Sequence, residues 1–168
     1  MDLGLDGTKV MILGASRGIG RMTAEIFAKE GADLAICARN LEGLEVAKKE
    51  LLAVGKGSVF SSVADLSDAE SLQNFVQTGI QELGGLDILI HNATGVSGQD
   101  EEGWRGTFEV DVLGAVRAIE IAQPTLEKSE NASITFIGST ASKQWFGRWS
   151  SYGPLKGAMR VLANELGQ

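Results

Sequence analysis

Cysteine and histidine are almost absent from this sequence: Cys37 and His91 are the only residues of their kinds. A single cysteine excludes an internal disulfide. One cysteine and one histidine also leave no Cys/His cluster for zinc, so no metal is expected. Cys37 lies in the run Leu34-Ala35-Ile36-Cys37-Ala38 and reads as a buried small hydrophobe. No apolar run approaches the roughly 20 residues that span a bilayer. The opening Met1-Asp2-Leu3-Gly4-Leu5-Asp6 lacks the basic flank and apolar stretch of a signal peptide. A cytoplasmic protein with no membrane partner is the expectation. Net positive charge is missing too: the formal charge is −7, which argues against a nucleic-acid surface. It leaves room for an anionic cofactor, because two local arginines can override the mean field. What is present is ordinary: 168 residues, 43% hydrophobic and 22% charged, enough for one domain with a real core.

Short β-like runs alternate with longer amphipathic stretches. Strands are predicted at residues 9–13, 33–38, 58–64, 86–90 and 134–137. The helices between them are predicted at 19–30 (apolar spacing Met22, Ile26, Phe27), 41–54 (Leu44, Ala47 and Leu51 on one face), 67–83 with a Ser67 cap, 103–128 and 151–166. No repeat, low-complexity tract or linker interrupts the pattern. Strand followed by helix throughout implies an α/β fold with a doubly wound parallel sheet and helices on both faces. Ligands then bind outside the carboxyl ends of the strands.

Two motifs fall at such ends. Gly14-Ala15-Ser16-Arg17-Gly18-Ile19-Gly20 lies directly between the first strand and the first helix. Glycine there permits a tight turn and close approach of backbone to a pyrophosphate, whose charge meets the helix N-terminus. Near the other end of the chain, Tyr152 and Lys156 stand four residues apart and so share a helix face. Pro154 between them is tolerated only in a first turn, which places the helix start near Ser150 or Ser151. A free phenol titrates near pH 10 and is a poor base at neutral pH. A lysine ammonium about 4 Å away favours the ionised form by roughly 4 kcal/mol at an effective dielectric near 20. The pair is therefore a candidate proton-transfer site.

With Gly-x-x-x-Gly-x-Gly upstream and Tyr-x-x-x-Lys downstream, the sequence resembles the short-chain dehydrogenase/reductase family, and the likeness covers essentially the whole chain. The resemblance implies a Rossmann-type fold and hydride transfer between a nicotinamide and a carbonyl carbon on a small molecule. It assigns Ser139 to the substrate carbonyl oxygen, Tyr152 to proton donation, and Lys156 to the nicotinamide ribose as well. Asp65, with Leu66, matches the family's aspartate at the adenine amine. Asn92-Ala93 matches part of Asn-Asn-Ala-Gly after strand four, with His91 and Thr94 as departures. Asp111 stands where the family has an asparagine in a water relay to the lysine, and lowered turnover is expected from it. Leu13 replaces the threonine that opens the glycine turn. NAD-binding members carry a carboxylate after strand two, about 20 residues beyond the glycines. Here Arg39-Asn40 follows Ala38, and Arg17 with Arg39 can pair a 2′-phosphate, so NADP(H) is preferred over NAD(H). The expected dinucleotide contacts are therefore Gly14, Ser16, Arg17, Gly18, Ile19, Gly20, Arg39, Asn40, Asp65, Leu66, Asn92, Ala93, Thr94, Tyr152 and Lys156.

Trp145, Phe146 and Trp149 could wall an apolar substrate pocket or pack a subunit contact. Family members continue past the tyrosine-lysine helix with further strands, a Pro-Gly turn and a substrate loop, whereas this chain stops at Gln168. The resemblance thus implies one dinucleotide-binding domain, residues 1–168, incomplete at its C-terminus. Its fifth strand would be an open edge that invites homo-oligomerisation. The alternative to a carbonyl reductase is a module that binds dinucleotide, pairs with other subunits and performs no chemistry. A nucleotide-sugar epimerase or dehydratase is disfavoured by the glycine spacing.

Overall fold

The computed structural model describes residues 3–145 and 147–167. Five parallel strands, β1 (Lys9–Leu13), β2 (Asp33–Ala38), β3 (Val59–Val63), β4 (Ile88–His91) and β5 (Ser133–Phe136), form one sheet in the order β3-β2-β1-β4-β5. The helices are α1 (Gly18–Lys29), α2 (Leu41–Val54), α3 (Ala69–Leu83), α4 (Glu101–Thr107), α5 (Gly114–Leu126) and α6 (Tyr152–Leu166). This is the expected doubly wound arrangement, with the strand order reversing between β1 and β4.

Alternation along each strand builds a core on both faces. On β1, Met11 and Leu13 join a cluster with Leu72, Phe75, Val76 and Ala118, under α3 and α5. Val10 and Ile12 point the other way, to Ala24, Ala28, Leu44 and Leu51 of α1 and α2. Both sides of the strand are buried, so it reads as a continuous apolar run rather than an alternating one. The register then aligns the strand ends: Leu13 lies beside Cys37 and His91, and His91 beside Phe136. Each strand therefore delivers the residues after it to one edge of the sheet.

The strands β1 and β2 and the helix α2, with Leu44, Ala47 and Leu51 buried, match their predicted spans. Three expectations are corrected. Helix α1 packs through Gly20, Ala24 and Ala28, while Met22 and Ile26 are exposed. Small residues there let the helix lie close to the sheet, and spacing of large apolar residues misses them. Helix α3 is capped by Asp68, whose Oδ1 accepts the Glu70 and Ser71 N–H groups at 2.9 and 3.2 Å, and not by Ser67. The predicted helix over 103–128 starts at Glu101 behind an Asp100 cap and contains a π-helical segment, Phe108–Leu113. Such widened turns carry no sequence period and recur at functional sites.

Cys37 is buried, and its thiol is pushed up to about 12, first by burial, against a backbone N–H from Gly14. Among the described residues no helix is long and apolar enough to cross a membrane.

Candidate active site

A cleft of about 910 Å³ opens along the carboxyl ends of the strands. Its floor at one end is the turn between β1 and α1. Gly14 adopts φ +89°, and its N–H and that of Ala15 donate to the Cys37 carbonyl, tying the turn to β2. A Cβ on Gly14 would press against Ala93, and one on Gly20 would collide with the Gly14 carbonyl oxygen and the Asn92 amide. The Asn92 Nδ2 donates to that same carbonyl at 2.6 Å, so the loop after β4 is locked to the turn. Helices α2, α3 and α4 are each capped by a side chain, Asn40, Asp68 and Asp100 respectively. At α1 the cap position is Arg17, which makes no side-chain cap bond, and the first turn holds no acid. Its leading N–H groups therefore face the cleft with an uncancelled partial positive charge. The glycine turn, the uncapped helix end and the volume of the cleft fit a dinucleotide.

Ser16, Arg17, Gly18, Ile19, Arg39, Asn40, Asp65, Leu66, Asn92, Ala93 and Thr94 all line this cleft with Gly14; Gly20 stands behind the turn. Several of them also have structural duties. Asn40 Oδ1 accepts the Gly43 N–H at 2.7 Å as the α2 cap. Asp65 Oδ1 accepts both the backbone N–H and the hydroxyl of Ser67. Those hydrogen bonds, with the Arg39 charge as a smaller cause, hold its carboxyl below the usual range. Leu66 is a core residue whose edge reaches the wall.

At the far end, Tyr152 opens α6 with Ser151 at the cap position, which puts Pro154 in the first turn as predicted. Lys156 Nζ lies 5.8 Å from the Tyr152 ring centroid, and both residues line the cleft. The ammonium donates to the Ile137 carbonyl at 3.0 Å and pairs with Asp111 Oδ2 at 3.1 Å. Both side chains of that ion pair are at most 5% exposed. The π-helical segment carries Asp111 inward, where Oδ1 accepts the Gly95 N–H and the Thr94 hydroxyl bridges both oxygens. His91 Nε2 faces the Val110 carbonyl at 3.1 Å. Burial drives His91 down to about 4, opposed by the Asp111 charge, so the ring is neutral at pH 7 and no base.

Ser139 is not among the residues lining the cleft. Its Oγ accepts the Ala141 N–H at 3.2 Å and caps a 3-10 turn, Thr140–Ser142, while its neighbour Gly138 reaches the wall. Trp145 and Trp149 are exposed, and Phe146 lies outside the described residues. Ile137, whose carbonyl holds Lys156, escaped the sequence reading. Its position directly after β5 was the available signal.

The buried hydroxyl of Ser151 ties the start of α6 to the loop after β4: it accepts the Gly98 N–H, donates to the Gly103 carbonyl and meets Thr107 Oγ1 at 2.8 Å. Tyr152 thus follows a fixed residue.

Comparison with known proteins agrees with this geometry. A family model described as short chain dehydrogenase matches residues 8–168. The isoepoxydon dehydrogenase patN of Penicillium expansum is 32% identical over 167 residues, which are 97% of this chain and 64% of that protein. Among solved structures, a 7 alpha-hydroxysteroid dehydrogenase complexed with NADH and 7-oxo glycochenodeoxycholic acid superposes with a TM-score of 0.89 at 27% identity, covering 97% of this chain and 67% of that one. A short chain dehydrogenase from Burkholderia cenocepacia J2315 in complex with NADP gives 0.86 at 29% identity, covering 97% and 70%. The chain spans 64% of the first relative's length, so the likeness concerns the part that holds the cleft. The glycine turn, the tyrosine-lysine helix and the family match over residues 8–168 lead to one conclusion: the chain belongs to the short-chain dehydrogenase family of NAD(P)-binding oxidoreductases.

Proposed function

We propose that this chain is the dinucleotide-binding and proton-transfer portion of an NADP(H)-dependent oxidoreductase that interconverts a small-molecule carbonyl and a secondary alcohol. The observation that carries the reading is the shared cleft: the uncapped glycine turn at one end, Tyr152 and Lys156 at the other. Bound reduced dinucleotide supplies a hydride to the carbonyl carbon. The chain's own residues do the rest. Gly14 and Gly20 let the turn close against Ala93 and Asn92, Gly18 leaves open space for a diphosphate, and the α1 N-terminus meets its charge. Arg17 and Arg39 are exposed on the cleft wall and are suited to a 2′-phosphate, which a carboxylate in that place would repel. Tyr152 delivers the proton to the carbonyl oxygen as general acid and takes it back in the reverse direction. Lys156 stabilises the phenolate that remains, and its free N–H faces the cleft. Ser139, beside Gly138 on the cleft wall, keeps its hydroxyl proton while its lone pair serves Ala141, and its side chain must turn inward to reach a substrate oxygen. Asp111 replaces a neutral amide with a charge that opposes the Lys156 field at Tyr152, and lowered turnover follows.

The test pairs NADPH and NADH titrations by fluorescence with NADPH consumption over a panel of ketones and aldehydes. Saturable NADPH binding tighter than NADH binding, with consumption of at least one carbonyl, is the expected result. Equal affinity for both dinucleotides removes the NADP(H) preference. Binding without turnover favours the second reading, a dinucleotide-binding module that acts through association with itself or other subunits. A hollow of about 460 Å³ between α5, β5 and α6, walled by Ile134, Phe136 and Leu166, suits a contact between copies of the chain and supports that reading. Sedimentation of the purified chain distinguishes monomer from oligomer.

A further inference from the structure

Three residues depart from the family pattern around this site, and they are stacked on one another. His91 contacts the carbonyl of Val110, Asp111 follows Val110, and Thr94 bonds Asp111. The surroundings of Asp111 explain the grouping. Its carboxylate is met by the Thr94 hydroxyl at 3.0 and 2.9 Å, the Gly95 N–H at 2.8 Å and the Lys156 ammonium at 3.1 Å. Each of these can donate, and the last two can only donate. A carboxylate accepts through both oxygens. An amide has one acceptor end, so whichever way it is turned its NH2 confronts either the Gly95 N–H or the ammonium. The position is built for a charge.

Thr94 has one hydroxyl proton, and it lies between the two carboxylate oxygens. It therefore fixes the rotation of the carboxylate rather than neutralising it. With Oδ1 held by Gly95, that rotation is what directs Oδ2 at Lys156. The ammonium is further held by the Ile137 carbonyl, which leaves its third N–H for the cleft. We infer that Thr94 is a positioning residue that acts through Asp111, aiming the carboxylate so that Lys156 is fixed beside the Tyr152 ring, and that it does not act as a dinucleotide contact. The groups around this carboxylate that carry or can carry charge are Lys156 and Tyr152 from α6 and His91 from β4. The inference rests on the proposed carbonyl-reducing function of the cleft.

The test is a double-mutant cycle on the whole chain: wild type, Thr94→Val, Asp111→Asn, both together, and Thr94→Ser. NADPH affinity, kcat and KM are measured for each. Thr94→Val is expected to lower kcat about 10- to 100-fold with KM for the carbonyl unchanged, in keeping with loss of one hydrogen bond to a charged group. Thr94→Ser restores the wild-type rate. In the Asp111→Asn background, Thr94→Val costs nothing further, because the group it acts on is gone. The same factor in both backgrounds, or a rise in NADPH Kd from Thr94→Val that persists without Asp111, overturns the inference and makes Thr94 a direct contact.

A wild-type chain that neither binds nor consumes NADPH refutes the proposed function instead. The cycle is then read on the ring resonance of His91, the only histidine in the chain, which feels the Asp111 charge. Thr94→Val must shift that resonance with Asp111 present and leave it unmoved with asparagine; an unmoved resonance in both overturns the inference. Should Asp111→Asn not fold, the shift in Thr94→Val alone and its reversal in Thr94→Ser decide.

Discussion

One end of the cleft is made of backbone and the other of side chains. At the turn after β1 the cleft meets the N–H dipoles of α1, and the side chains nearby are notable for their absence: Gly14 and Gly20 have no Cβ where one would collide. At the start of α6 the cleft is lined by a phenol and an ammonium, with a carboxylate behind the ammonium, and the last two are each held by a partner on another element. Lys156 is held from β5's end by Ile137, and Asp111 by the loop after β4. A backbone site tolerates little change at its glycines but needs no charge balance. A side-chain site depends on matched donors and acceptors, as the bonds of Thr94, Gly95 and Lys156 to Asp111 show.

The largest expected effect breaks the side-chain end alone. Tyr152→Phe should lower carbonyl reduction by about 10² to 10⁴-fold, the usual worth of a general acid, while NADPH affinity stays within about threefold. Parallel loss of binding would mean that the two ends are not separable. Next, Gly20→Ala should break the backbone end: its methyl meets the Gly14 carbonyl and Asn92, costing about 1–3 kcal/mol in urea unfolding and abolishing measurable NADPH binding. Arg39→Ala sharpens the comparison by asking whether any side chain matters there. About tenfold weaker NADPH binding with NADH unchanged is expected, from fluorescence titration of both.

The last effect concerns stability rather than activity. His91 titrates near 4 when folded, against an ordinary 6.5, so between those values the unfolded chain binds a proton that the folded chain refuses. Its contribution is intact above pH 6.5 and is lost as pH falls toward 4, to about 3 kcal/mol in all. The fall in urea midpoint from pH 7 to pH 4.5 should be larger in wild type than in His91→Asn. An identical pH dependence in the two would place the histidine in water.

The fold and the backbone end were legible because each rests on local pattern. Continuous apolar runs gave β1 and β2 their limits, and glycines between a strand and a helix marked the turn. The approach of Tyr152 and Lys156 was legible from spacing, since residues four apart on a helix share a face and Pro154 fixed the first turn. The π-helical segment was not, because a single widened turn leaves no period, and with it went the burial of Asp111 against Lys156. Nor was the double use of Thr94, Asp65 and Asn40, whose side chains brace loops as well as line the cleft. Partners distant in sequence decide such roles. The exposure of Met22 and Ile26 escaped for a related reason: α1 approaches the sheet through alanine and glycine.

Tyr152 is the only tyrosine in the chain, so ring-labelled tyrosine gives one resonance that reports on the side-chain end of the cleft. NADPH and adenosine 2′,5′-bisphosphate, which carries only the adenine half, are titrated against that label while binding is followed separately. Both ligands should bind, and only NADPH should move the tyrosine resonance. A resonance that stays in place when NADPH saturates the protein would contradict a single cleft joining the glycine turn to Tyr152.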